Sequence, residues 1–161
     1  MKFRKSENFE KTAQMQFSIV KDKILQAVPE AEILHIGGTA VPGAYTKGDL
    51  DIQIRVSQKQ FKKAVQSLKK VFEVGRSDLW NGTYAVFKEE KLFPGEKIDL
   101  LVTAIGSKYD SCHKIRDLLS EDKNLLKEYN KLKSSFTGRN YDYKLYKAAK
   151  SEFYKKIGEL I

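Results

Sequence analysis

The chain reads as an α+β protein: a small mixed sheet with a helix at each end of the sequence and a helical C-terminal region. Three observations predict this class. Residues 49–56 alternate polar and apolar (Asp49, Leu50, Asp51, Ile52, Gln53, Ile54, Arg55, Val56), the period of a strand with one buried face. Phe17, Val20, Ile24 and Val28 recur at steps of three and four, the spacing of one helical face, and Pro29 ends that run. Beyond Ala104 the breakers thin out, and three helical stretches follow at 109–119, 123–136 and 142–161, with Gly138 as the break between the last two.

The elements between these anchors follow in order. Residues 7–28 form the first helix, and Glu32–Ile36 a short strand running into Gly37-Gly38. After the alternating strand, Ser57 or a neighbour caps a helix whose stripe is Phe61, Val65, Leu68 and Val71. Its lysines, Lys59, Lys62, Lys63, Lys69 and Lys70, lie mostly off that stripe and read as a solvated face. Residues 84–88 and 97–102 form two further strands, joined through the turn chemistry of Phe93-Pro94-Gly95.

At 161 residues the chain suits a single domain, with residues 1–104 as the α/β core and 105–161 as the helical part. Eighteen aromatic residues argue against disorder, and no apolar run approaches the roughly 18 residues that span a bilayer, so no membrane partner is expected. One cysteine, Cys112, forms no internal disulfide, and no apolar signal core follows Met1, which predicts a reduced, cytoplasmic setting. The formal net charge is +9, rising through residues 1–50, 51–100 and 101–161 as +1, +3 and +5. Such a balance fits a phosphate-bearing partner. A nucleic acid is less favoured, because Asp117, Glu121, Asp122, Glu128 and Asp142 are mixed among the C-terminal lysines.

The chemistry concentrates in three places: Gly37-Gly38-Thr39, Asp49-Leu50-Asp51, and Asp99 within Lys97-Ile98-Asp99-Leu100-Leu101. Asp49 and Asp51 stand two apart, so both project from the strand face opposite Leu50 and Ile52. Asp99 stands in a second strand between apolar neighbours, where an isolated acid is costly. If these strands pair, three carboxylates converge; a divalent cation removes their repulsion, and hard oxygen donors suit Mg²⁺ or Mn²⁺. The glycine pair lets backbone approach a ligand closely, and its amides with the Thr39 hydroxyl suit phosphate oxygens. Lys47 precedes the acids, and Arg116, Lys147 and Lys150 are helical cations able to reach phosphates across a cleft. Taken singly, each is as readily a surface charge or ion-pair partner. His35 reads as a hydrogen-bonded structural histidine, Trp80 and Tyr84 as core aromatics, and Cys112-His113 lack partners at zinc-ligand spacing.

The run His35-Ile36-Gly37-Gly38-Thr39-Ala40-Val41-Pro42-Gly43, followed by Lys47 and Asp51-Ile52, resembles the signature of GrpB-like proteins, a branch of the nucleotidyltransferase superfamily with the DNA polymerase beta-like fold. The resemblance continues through residues 115–119, Glu128-Tyr129, Leu132-Lys133, Tyr146, Lys150 and Phe153, and covers roughly residues 10–157. Relatives commonly carry Ser at the place of Gly38, and many have a proline–aliphatic pair where Gly48-Asp49 stands and a histidine near Asp99; here the acidic triad is complete. The resemblance implies a nucleotidyltransferase-like mixed sheet. It also implies metals carrying an NTP on Asp49 and Asp51, with Asp99 activating the attacking hydroxyl. Transfer of a nucleotidyl group with release of pyrophosphate is the leading expectation. The alternative is a non-catalytic relative that binds a nucleotide or another phosphorylated small molecule.

Overall fold

The computed structural model describes residues 2–137 and 142–161, so the expected break at Gly138 lies outside the described residues. A five-stranded mixed sheet is built from β2 (Glu32–Ile36), β4 (Leu50–Val56), β7 (Ile98–Ala104), β6 (Tyr84–Lys88) and β5 (Glu73–Gly75), in that spatial order. β4 and β7 run parallel; the other neighbours are antiparallel. A separate two-stranded ribbon pairs β1 (Arg4–Lys5) with β3 (Tyr45–Thr46). Five α-helices complete the described chain: α1 (Glu10–Ala27), α2 (Gln58–Leu68), α3 (Cys112–Glu121), α4 (Lys123–Ser135) and α5 (Tyr143–Gly158).

The alternating pattern of β4 does its work here. Leu50, Ile52, Ile54 and Val56 are fully buried, and with Leu100 and Val102 of β7 they form the floor on which Val20 and Ile24 of α1 and Phe61, Ala64 and Leu68 of α2 pack. Burying a side chain of this size contributes about 1.5–3 kcal/mol. A second apolar cluster joins Val41 and Ala44 to Leu119 of α3, Leu125 and Tyr129 of α4, and Phe153 and Ile157 of α5. The C-terminal helices thereby anchor the loop that follows the glycine turn.

Three details depart from the sequence expectation. Helix α3 starts at Cys112 rather than Tyr109, because the Asp110 carboxylate is drawn inward to accept from Arg55, Gln53 and the Gly106 amide. Ser57 precedes α2, but its hydroxyl donates to Gln60 Oε1 at 2.7 Å and caps no backbone amide. Strands β1, β3 and β5 are two or three residues long, too short to display a period. By contrast, α4 and α5 are capped by side chains: the Asp122 carboxylate accepts from the amides of Asn124 and Leu125, and Asp142 from those of Lys144 and Leu145.

Candidate active site

Parallel pairing of β4 with β7 sets Asp51 directly opposite Asp99, while Asp49 lies one residue before β4. Strand register therefore sets Asp51 beside Asp99, with Asp49 on the segment leading into β4. Burial pushes the Asp51 carboxyl up to about 6, with the negative charge of Asp99 and then Asp49 adding to the rise, and Lys150 and Lys97 opposing it. Lys97 was not singled out in the sequence, yet its ammonium bridges the acids: Nζ stands 3.1 Å from Asp49 Oδ2 and 3.3 Å from Asp99 Oδ2. The alternation that aligns 49 with 51 also aligns 97 with 99, so the signal was present. The two carboxylates hold that ammonium's pKa well above the lysine range, against the effect of burial.

The glycine pair is used at close quarters. Gly37 has φ +76°, and a Cβ there would sit 2.2 Å from Asp51 Oδ2, so only glycine lets this carboxylate lie against the turn. A Cβ at Gly38 would stand 3.0 Å from Lys133 Nζ and 3.1 Å from Thr46. Lys133 is a second functional candidate that sequence reading missed. It continues the Leu125, Tyr129 stripe of α4 at four-residue steps and is 5% exposed, with Nζ donating to the Tyr45 carbonyl at 2.6 Å. Burial, then the positive charge of Lys150, lowers its pKa to about 7, while Asp51 and Asp49 pull it back up. A lysine at an apolar stripe position was the available signal.

The Thr39 hydroxyl donates to the Asp49 carbonyl at 3.2 Å. It must then accept from His35 Nε2 at 2.9 Å, which fixes the proton on that nitrogen. His35 stacks on Phe17, and burial together with Arg116 lowers its pKa to about 4, so it is neutral, in keeping with a structural role. Thr39 thus ties the turn to the first acid, and its proton is already engaged there rather than offered to a phosphate.

Of the helical cations, Arg116 and Lys150 line a cavity of about 330 Å³ with Gly37, Asp51, Leu101 and Tyr154. Arg116 also donates to the His35 carbonyl at 2.8 Å and to Asp117. Lys150 has its pKa lowered by burial, with Asp51 opposing. Lys47 is exposed, 5.9 Å from the ring centres of both Phe3 and Tyr146. Lys147 is exposed over the Tyr143 ring and does not line that cavity. Trp80 packs on Phe87 and donates to the Gly75 carbonyl, and Tyr84 stacks on Tyr109. Among the described residues, no three Asp, Glu, His or Cys side chains stand as a group that could hold a metal ion. The donor chemistry nevertheless fits a hard cation, since an ammonium already stands between two of the carboxylates.

The chain has known relatives both in fold and in sequence. Its fold is that of the nucleotidyltransferases: it matches the Cid1 poly(U) polymerase with MgGTP bound at a TM-score of 0.52 and 14% identity, over 77% of this chain and 41% of Cid1. The sequence matches the GrpB protein family over residues 7–159, and the chain belongs to that family. It is 30% identical to a UPF0157 protein of Vibrio cholerae serotype O1 over 157 residues, 98% of this chain and 81% of the relative. The crystal structure of the conserved protein GrpB from Enterococcus faecalis matches at a TM-score of 0.58 and 16% identity, over 90% of this chain and 94% of that one. Among the described residues no helix is long and apolar enough to cross a membrane.

Proposed function

We propose that this protein is a metal-dependent nucleotidyltransferase, moving a nucleotidyl group from an NTP to an acceptor hydroxyl with release of pyrophosphate. The observation that carries this reading is the row of Asp49, Asp51 and Asp99 against the Gly37-Gly38 turn, with Lys97, Lys133 and Lys150 gathered around it. The fold it sits on supports the same reading, as do solved structures of Cid1 with MgGTP and with the UTP analogue UMPNPP. Asp49 and Asp51 would hold the cation, Mg²⁺ or Mn²⁺, with Asp99 completing the set. When bound, it neutralises charge on the α-phosphate and lowers the pKa of the acceptor hydroxyl.

The chain's own groups supply the remaining chemistry. The Gly37 and Gly38 backbone, Lys133, Lys150 and Arg116 bind and orient the triphosphate, with Lys47 near the entrance; Lys147 would serve only from farther along α5. Asp99 accepts the proton of the acceptor hydroxyl as its oxygen bonds to the α-phosphorus and the bond to the β-phosphate oxygen breaks. Lys97 must leave its position between Asp49 and Asp99 when the cation enters.

Calorimetry with each NTP in the presence of Mg²⁺ tests the site. Mg²⁺-dependent binding abolished by Asp49→Asn and Asp51→Asn is expected; no such binding, or binding indifferent to both substitutions, discards the proposal. The Lys97 bridge itself favours a second reading, a member that binds a nucleotide or phosphorylated ligand without turnover. Release of labelled pyrophosphate across a panel of acceptors separates the two, and turnover lost in Asp99→Asn removes the binding-only reading.

A further inference from the structure

The lysines of the C-terminal part look diluted by acids in the sequence, but folding sorts them. Asp117 is engaged by Arg116 at 2.6 Å, Glu128 by Lys156 at 2.7 Å, Asp122 and Asp142 are turned onto helix N-termini as caps, and Glu121, exposed at the end of α3, does not line the groove between α4 and the β1–β3 ribbon. What remains on one side of α4 is Lys123, Lys127 and Lys131, at successive four-residue steps and therefore on one face, about 6 Å apart along the axis. All three are exposed, as is Lys5 of β1, and none of the four takes part in an ion pair among the described residues.

These four lysines line one open groove of about 500 Å³, together with Tyr45 and Leu126, and no carboxylate lines it. Glu7, two residues after Lys5, spends its oxygens on the Gly43 amide at 2.8 Å and on Ser6, and lines the neighbouring cavity beside His35 and Thr39 instead. The groove's floor is also well held. Asn130 of α4 accepts from the Tyr45 amide at 2.7 Å and donates to the Gly43 carbonyl at 2.9 Å. Lys133 secures the Tyr45 carbonyl from the same helix. A row of ammonium groups outside any ion pair among the described residues, over a fixed floor that Tyr45 helps to line, has the two ingredients of single-strand recognition. The charges follow a phosphodiester backbone, and the ring offers an unpaired base a stacking surface.

We infer that the groove between α4 and the β1–β3 ribbon docks a single strand of nucleic acid through its phosphodiester backbone, without regard to the sugar. A duplex gains only the charge contacts there, because its bases are already stacked. The inference is independent of the catalytic proposal, since none of the four groove lysines belongs to the acidic row or to the groups assigned to the triphosphate.

Fluorescence anisotropy of the full chain with labelled 20-mers of oligo(U) and oligo(dT) tests it. Both strands should bind alike, and more tightly than a duplex of the same length. The logarithm of affinity should fall against the logarithm of salt concentration with a slope of about −3 for four phosphate contacts. The double substitution Lys127→Glu/Lys131→Glu should weaken binding at least tenfold, with unfolding midpoints compared to verify folding. Lys59→Glu/Lys63→Glu, the same charge change on exposed lysines of α2, should stay within twofold of the parent. Absence of binding at low salt, equal losses in the two double variants, duplex affinity matching the single strands, or displacement by poly-glutamate at equal charge would each overturn the inference.

Discussion

The same pair of strands, β4 and β7, carries a carboxylate cluster at each end, and the two are tuned in opposite directions. Toward the C-terminal end, Asp110 receives Arg55 through Nε at 2.7 Å and Nη2 at 2.8 Å. Gln53 donates to it at 3.1 Å and the Gly106 amide at 3.0 Å, and Arg55 also pairs with Glu32. Those bonds, chiefly that from Arg55, hold the Asp110 carboxyl below the usual carboxylate range despite burial. At the N-terminal end, Asp51 faces Asp99 across the ladder and is pushed up to about 6. One carboxylate is matched by hydrogen-bond donors of its own chain, and at the other the Lys150 and Lys97 charges only partly offset burial and the neighbouring acids.

The largest expected effect lies at the satisfied end. Asp110→Ala leaves the Arg55 guanidinium with Glu32 alone and strips Gln53 and the Gly106 amide of an acceptor, which should cost about 3 kcal/mol of stability in urea unfolding. An Asp110→Ala protein within about 0.5 kcal/mol of the parent would show that the network only decorates the strand end.

The acidic end should behave in the reverse sense. Because the Asp51 carboxyl is raised in the folded state, its contribution is intact below the unfolded value near 4 and is lost as pH climbs to about 6. Asp51→Asn should therefore remove a fall of roughly 2 kcal/mol between pH 4 and pH 7, measured by urea unfolding with EDTA present. Asp110, with its lowered value, gives the opposite slope: its stabilisation is present at neutral pH and is lost as pH falls through the folded value. Identical pH profiles for Asp51→Asn and the parent would show that Asp51 is not under strain.

The contrast also explains what the sequence disclosed. Asp51 and Asp99 were legible because alternation fixes which face a strand residue takes, and the apolar neighbours of Asp99 marked it as costly. The same rule applied to Lys97, but a lysine near a turn is so ordinary that nothing distinguished it from the solvated ones. Asp110 and its partners were illegible for another reason. Gln53 lies 50 residues before Thr103 and 57 before Asp110, and only the fold shows that the three share one hydrogen-bonded centre. Lys133 sat in view on the stripe of α4, where its charge argued against the burial it has. The two- and three-residue strands lacked any period to read, whereas β4 and α2, with full stripes, were legible to within a residue or two of their starts.

Lys97 supplies the finest test of the difference between the two ends. At the Asp110 end the bridging cation is Arg55, whose side chain is 16% exposed and whose fork makes parallel bonds to one carboxylate. At the acidic row the bridging cation is Lys97, 61% exposed, reaching two carboxylates as a single point charge. A solvated ammonium of that kind is readily displaced, and an exposed pair contributes at most about 1 kcal/mol. On the proposed function it competes directly with the divalent ion for Asp49 and Asp99. Lys97→Met should then tighten Mn²⁺ binding by about fivefold, on the order of 1 kcal/mol, read by electron paramagnetic resonance of the free ion in the absence of nucleotide. The gain should vanish in Lys97→Met/Asp49→Asn, which lacks one of the two carboxylates that Lys97 occupies. Unchanged or weaker Mn²⁺ binding in Lys97→Met would mean that the ammonium is a fixed part of the acidic row, and the two ends of the strand pair would then differ in exposure but not in kind.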